Sequence, residues 1–212
     1  MIKKALLALA IAGSMAAAQA TTVVNEGFDN VFDLASKGWI VTNASTPGGT
    51  DKGFTQGFDG SGITALSGAS TSYAGASYSS GADGGTLADW LITPIFSTTA
   101  GVIVTFYVNA AEVAGYSDAI KYGFIDAAGT LNDALLTSLS TVTTGQWTQI
   151  TAVLGYTAGS GRFAIEYTGA VDASNYVGID NLTVQVPEPT SIAILAAGLI
   201  GLGAARRRQQ RG

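Results

Sequence analysis

The residues of this chain that could do chemistry are carboxylates and phenols. Glu26 and Asp29 stand where a first strand is expected to end, and Asp180 stands where a last strand breaks its rhythm. Calcium takes its oxygens from carboxylates, backbone carbonyls and water, so these three are candidate ligands of a structural Ca2+ if the two strands pair. Solvated carboxylates and turn formers are the other reading of the same residues. An EF-hand is excluded, because the run beginning Asp51-Lys52-Gly53 lacks the required alternation of acids. Tyr73, Tyr78 and Tyr116 lie in polar stretches and are candidates for stacking on sugar rings. Trp39, Trp90 and Trp147 lie within or beside strand patterns and read as core, given the area an indole buries.

What is missing narrows the chemistry further. The chain has no histidine and no cysteine. That removes the usual general base, the usual zinc ligand and the Ser-His-Asp triad together. A Ser-Lys pair would have to use Lys37, Lys52 or Lys121, and none sits in an S-x-x-K motif. A glycosidase needs two facing carboxylates. Pairs such as Asp83 with Asp89, or Glu112 with Asp118, exist, but no spacing singles one out. The Gly57-Phe58-Asp59-Gly60-Ser61-Gly62 run is a loop without the P-loop lysine. The chain is read as a non-enzyme, with a glycan hydrolase as the weaker alternative.

The elements that must position these groups are strands. In residues 102–109, Val102, Val104, Phe106 and Val108 share one face. Ile120, Tyr122 and Phe124 do the same, as do Phe163, Ile165 and Tyr167 with Arg162 and Glu166 opposite. Period-two alternation predicts antiparallel strands with one face buried. Further strands are expected at 22–26, 38–43, 90–92, 146–154 and 176–184. In the last, Val177 and Ile179 keep one phase while Leu182 and Val184 keep the other, which predicts a bulge at Asp180-Asn181. Residues 44–86 are dense in Gly, Ser and Thr and read as packed loops and short strands. No helical period is sustained, so the expected fold is all-β: a two-layer antiparallel β-sandwich, of jelly-roll type.

Charge separates this middle from the two ends. Residues 21–186 carry 14 carboxylates against Lys37, Lys52, Lys121 and Arg162. Such a surface repels nucleic acid and anionic lipid, and suits calcium or neutral sugars. The start has Lys3 and Lys4, an apolar run at 5–11 and then Ala18-Gln19-Ala20, which are the three parts of a signal peptide spanning 1–20. The end reads Val186-Pro187-Glu188-Pro189, an apolar run over 192–205, then Arg206-Arg207-Arg208 and Arg211. As a helix that run is roughly 21 Å long, short of a ~30 Å hydrocarbon core. It suits a passing transmembrane helix with its arginines on the cytoplasmic side. The two prolines keep the preceding backbone extended and open to an enzyme.

These three C-terminal elements, in this order, resemble the PEP-CTERM sorting signal of Gram-negative bacteria that make exopolysaccharide. The resemblance implies recognition by an exosortase, removal of the tail near Pro187-Glu188-Pro189, and release or transfer to the surface matrix. The middle carries Asn25-Glu26-Gly27-Phe28 with Gly38-Trp39, then Asp89-Trp90-Leu91-Ile92-Thr93-Pro94, Val104-Thr105-Phe106-Tyr107-Val108, Gly145-Gln146-Trp147-Thr148 and Val177-Gly178-Ile179-Asp180-Asn181-Leu182-Thr183-Val184. In this order they resemble choice-of-anchor J domains, which are similar to cleaved-adhesin and MAM-like jelly rolls. That resemblance implies a secreted module with adhesion or carbohydrate binding in some relatives, and a structural calcium held from the first and last strands. The organisation expected is a signal peptide at 1–20, a β-sandwich domain at 21–186 and a sorting signal at 187–212. The protein is expected to cross the inner membrane, to be held there transiently, and to pass to the cell surface or matrix in association with polysaccharide. A calcium-dependent, lectin-like module is the alternative.

Overall fold

The period-two faces read from the sequence become strands of two antiparallel sheets. The structure is a computed structural model that describes residues 20–187 apart from 140, 156 and 158. The expected signal peptide up to residue 19, Glu188, Pro189, the span 192–205 and Arg206, Arg207 and Arg208 lie outside the described residues. Among the described residues no helix is long and apolar enough to cross a membrane.

The strands are β1 (Ala20–Glu26), β2 (Ile40–Asn43), β3 (Thr46–Gly48), β4 (Thr55–Gln56), β5 (Ala74–Ser77), β6 (Gly81–Ile92), β7 (Phe96–Ser97), β8 (Val102–Ala110), β9 (Ala119–Asp126), β10 (Thr137–Leu139), β11 (Thr148–Leu154), β12 (Ser160–Ala170) and β13 (Tyr176–Pro187). One sheet runs β11-β8-β13-β5-β4, with β1 added to β13. The other runs β10-β9-β12-β6-β2, with β3 also on β6 and β7 also on β12. Residues 44–86 supply β3, β4, β5 and the start of β6, so the glycine-rich stretch is woven into both sheets.

The sheets share one apolar cluster. Val102, Val104, Phe106 and Val108 of β8 meet Phe163, Ile165 and Tyr167 of β12 in it. The rings of Phe106 and Phe163 have centroids 5.8 Å apart. A 3-10 turn at Val31–Lys37 adds Val31 and Leu34 to this cluster. Its Asn30 cap accepts from the Phe32 N–H, and Gly38 ends it in the left-handed region at φ 85°. Burial of these side chains from both sheets is the main favourable term holding the layers together.

The bulge predicted at Asp180-Asn181 is present. The β13–β8 register shifts between Asp180 and Thr183, and Asn181 has φ 48°. The extra residue lets Ile179 and Leu182 both face the core despite their odd spacing.

One expectation needs correction. Alternation predicted that the second sheet buries a single face, yet residues 163–167 of β12 and 89–92 of β6 are buried without a break. A separate apolar cluster of Trp90, Ile92, Ile125 and Ala164 lies on the outer face, with Ile40 and Leu136 packed on it. The connection from β9 to β10 crosses this face. A Cβ on Gly123 would lie 3.1 Å from the Leu135 carbonyl oxygen, which leaves room for glycine alone to pass without displacing the loop. Arg162 pins the same region, its guanidinium donating to the carbonyls of Ala127, Thr93 and Gly38 at 2.9, 2.7 and 2.9 Å.

Candidate functional site

Register places the chemistry. On the outer face of the second sheet, Glu166 of β12 stands opposite Lys121 of β9 on one side and Trp90 of β6 on the other. Paired residues of adjacent antiparallel strands share a face, so these three side chains form one row across three strands. The loop after β9 rises beside the row and brings Leu131 and Asp133. On the far side stand Ala44 and Thr46. The result is an open cleft of about 370 Å3, whose floor and walls include Thr86, Thr168, Glu166, Lys121 and Trp90.

Glu166 is the unusual member. It is only 4% exposed, and its Oε2 is buried without a hydrogen-bond partner. Burial pushes its carboxyl up to about 7; the Lys121 ammonium opposes this, while Asp133 and Asp89 add to it. Lys121 does not neutralise Glu166 directly, because its Nζ is committed to Asp133 Oδ2 at 2.8 Å. A buried carboxyl oxygen with no donor is costly, so an incoming donor gains both a strong bond and the relief of that cost. The hydroxyls of Thr46, Thr86 and Thr168 can give or take hydrogen bonds around it. Trp90, 3% exposed, offers an edge at the base and no open stacking face.

The residues singled out by sequence fall elsewhere. Tyr73 is corrected: it is fully buried, so it cannot stack on a ligand from solvent. Its ring packs with Ile63, Ala111 and Tyr176, and lies edge-on to Trp147 with centroids 6.1 Å apart. The space comes from Gly75 and Gly178, which pair across β5 and β13; a Cβ on Gly178 would lie 3.0 Å from the Tyr73 ring. Tyr78 and Tyr116 are each 47% exposed. Both loops lean on the turn before β13, Tyr78 N–H donating to the Asn175 carbonyl and Ser117 N–H to that of Ala173. Neither tyrosine lines the cleft. Trp39 and Trp90 are core, as expected, while Trp147 is half-buried and donates its indole N–H to the Thr64 carbonyl at 2.9 Å.

Two of the three acids considered for calcium, Glu26 and Asp180, are engaged by protein donors. Glu26 Oε1 accepts from the Phe28 N–H at 3.0 Å, and Oε2 holds the Lys37 ammonium at 2.9 Å. Asp180 Oδ2 accepts from the amides of Leu66 and Ser67 at 2.8 and 3.3 Å, and Oδ1 from that of Asn181 at 2.6 Å. Protein donors therefore face every oxygen of the two buried carboxylates. Asp29 is exposed, and its charge adds to the burial that raises the Asp180 carboxyl. Among the described residues no three acids gather as a metal-holding group. The Asp180 carboxylate, turned out by the bulge, clamps the 66–67 loop.

Pro187, the first residue of the expected sorting triplet, closes β13 and pairs with Ala20 of β1. Residues 185–208 match the model of the PEP-CTERM protein-sorting motif. The motif therefore starts inside a paired strand and continues beyond the described residues. No curated protein matches the sequence. Among solved structures, the chain is similar to two cleaved adhesin domains of Lys-gingipain from Porphyromonas gingivalis. The K1 domain has TM-score 0.53 at 23% identity, covering 77% of this chain and 97% of that one. The K3 domain has TM-score 0.50 at 19% identity, covering 77% of this chain and 99% of that one. At these identities the likeness is one of fold.

Proposed function

We propose that this chain, which carries a surface-sorting signal at its end, is an exported matrix or cell-surface protein of a Gram-negative bacterium and acts by adhesion in association with exopolysaccharide. One observation carries the reading: residues 185–208 match the PEP-CTERM protein-sorting motif, whose first residues lie in β13. On this reading residues 1–20 are removed at export. The span 192–205 holds the chain briefly at the inner membrane, with Arg206, Arg207 and Arg208 on the cytoplasmic side. An exosortase then cuts near Pro187-Glu188-Pro189. The two antiparallel sheets support a secreted sandwich of jelly-roll, choice-of-anchor J type. The likeness to cleaved adhesin domains supports an adhesive rather than a catalytic role, as does the lack of histidine and of any singled-out carboxylate pair.

Cell fractionation with intact-mass measurement tests this. The expected surface species lacks residues 1–20 and the arginine cluster. A full-length product in the cytosol, leader uncut, would overturn the reading.

A further inference from the structure

The cleft on the second sheet lies outside the residues matched to the sorting motif. Its features specify a ligand class. Glu166 lines the cleft, is 4% exposed and has a carboxyl oxygen without a protein donor, so its accessible edge favours a ligand that brings an O–H or N–H. Cations are poorly served: Lys121 stands beside Glu166, and no three acids gather among the described residues. Anions meet Glu166, Asp133 and an acidic domain surface, while the nearest ammonium is already paired. A peptide finds no backbone to pair with, because β6, β9 and β12 are each flanked on both sides by other strands. What remains is an uncharged molecule with several hydroxyls and apolar C–H faces, for which the threonines and the 41%-exposed Leu131 offer matching surfaces. The volume sits at the small end of small-molecule sites.

We infer that the cleft over the Lys121–Glu166–Trp90 row binds a neutral glycan, with Glu166 accepting a sugar hydroxyl. This rests on the proposed polysaccharide association and names the site that performs it. Glu166 is the specificity-determining residue: its burial beside Asp133 rejects acidic sugars while its free oxygen rewards a hydroxyl. Thr168, one pleat along β12 on the same face, is the second contact.

The test is a calorimetric titration of the full chain, solubilised in detergent, with neutral gluco-, galacto- and xylo-oligosaccharides and with an oligogalacturonate. At least one neutral series is expected to bind, and the uronate to bind about tenfold more weakly or not at all. Glu166→Gln is expected to weaken the neutral ligand by about tenfold, and Thr168→Val by several-fold. The melting curve of each variant establishes that it folds. Absence of binding by every neutral series, preference for the uronate, or unchanged affinity in both variants would overturn the site. So would displacement of the sugar's signal by an unstructured peptide. Cellular location plays no part in the titration. A surface protein that binds no sugar sinks only the cleft, and a cytosolic one that binds sugar sinks only the export reading.

Discussion

Acidification should stabilise this domain, against the usual behaviour of folded proteins. Two buried carboxyls, Asp89 and Glu166, carry most of this, and the raised Asp180 carboxyl acts in the same direction. Burial holds Asp89 at about 6, against the Ser80 and Ser45 hydroxyls, the latter 3.4 Å from Oδ1, and with Asp51 adding to the rise. Burial likewise holds Glu166 at about 7, against Lys121 and with Asp133 and Asp89 as like-charged neighbours. In the unfolded chain both ionise at ordinary values, 3.8 and 4.5. Between about pH 5 and pH 8 the folded state therefore binds more protons than the unfolded one, and stability falls as pH rises. Each carboxyl alone corresponds to up to about 3 kcal/mol. Water at the mouth of the cleft and the coupling of the two groups reduce the pair to about 2–4 kcal/mol. For a domain of this size that is a fall in Tm of about 5–15 °C from pH 5 to pH 8. The Asp126 and Asp133 carboxyls are lowered, the first by amide donors of its turn and the second by Lys121, so the opposite trend starts only at more acid pH. Calorimetric melting across this range is the assay. Glu166→Gln should raise Tm at pH 8 and flatten the slope, and Asp89→Asn should do the same independently. A flat or rising Tm from pH 5 to pH 8 would refute the argument.

Other perturbations have equally definite outcomes. Asp118→Ala strands the buried Tyr167 hydroxyl at 2.5 Å and the half-buried Asn175 amide at 2.8 Å, and should cost about 2–4 kcal/mol by urea unfolding. Gly75→Ala drives a methyl group into the Tyr176 hydroxyl and the Tyr73 ring and should cost about 1–3 kcal/mol, whereas Gly155→Ala meets nothing and should stay within about 0.5 kcal/mol. Calcium and a chelator should leave the melting curve unchanged, since the carboxylates of Glu26 and Asp180 already hold protein donors; a calcium-dependent rise in Tm would show that these donors give way.

The strands were legible where the chain alternates against one core. Residues 102–109 do so because β8 packs only inward, and the same pattern exposes the bulge, since a period of two cannot absorb one extra residue without a visible change of phase. The cleft was not legible for the same reason. Glu166 occupies the outward phase of an alternating strand, where a charge ordinarily meets water. Beside it stands the connection after β9, which brings Leu131 and Asp133, has no period of its own, and lands by non-local packing of Leu136 on the outer cluster of Trp90, Ile92, Ile125 and Ala164. The signal that existed was Gly123, a gap in the outward row of β9 where the loop passes over. Tyr73 was misread for a related cause. Its polar neighbours suggested surface, while the vacancy it fills is made by Gly75 and Gly178, which lie about a hundred residues apart and become partners only when β5 meets β13.

The placement of β13 has a mechanical consequence. Its last residues are hydrogen-bonded to β1 on one side, and to β8 on the other as far as Gln185, while its first residues are held by β8 and β5. Tension entering the fold through Pro187 runs along an interior strand and loads many hydrogen bonds in parallel, as shear. It does not unzip an edge one bond at a time. A pull applied at that point would strain the body of the sheet first, and Thr21, the in-register neighbour of Val186, would share that strain.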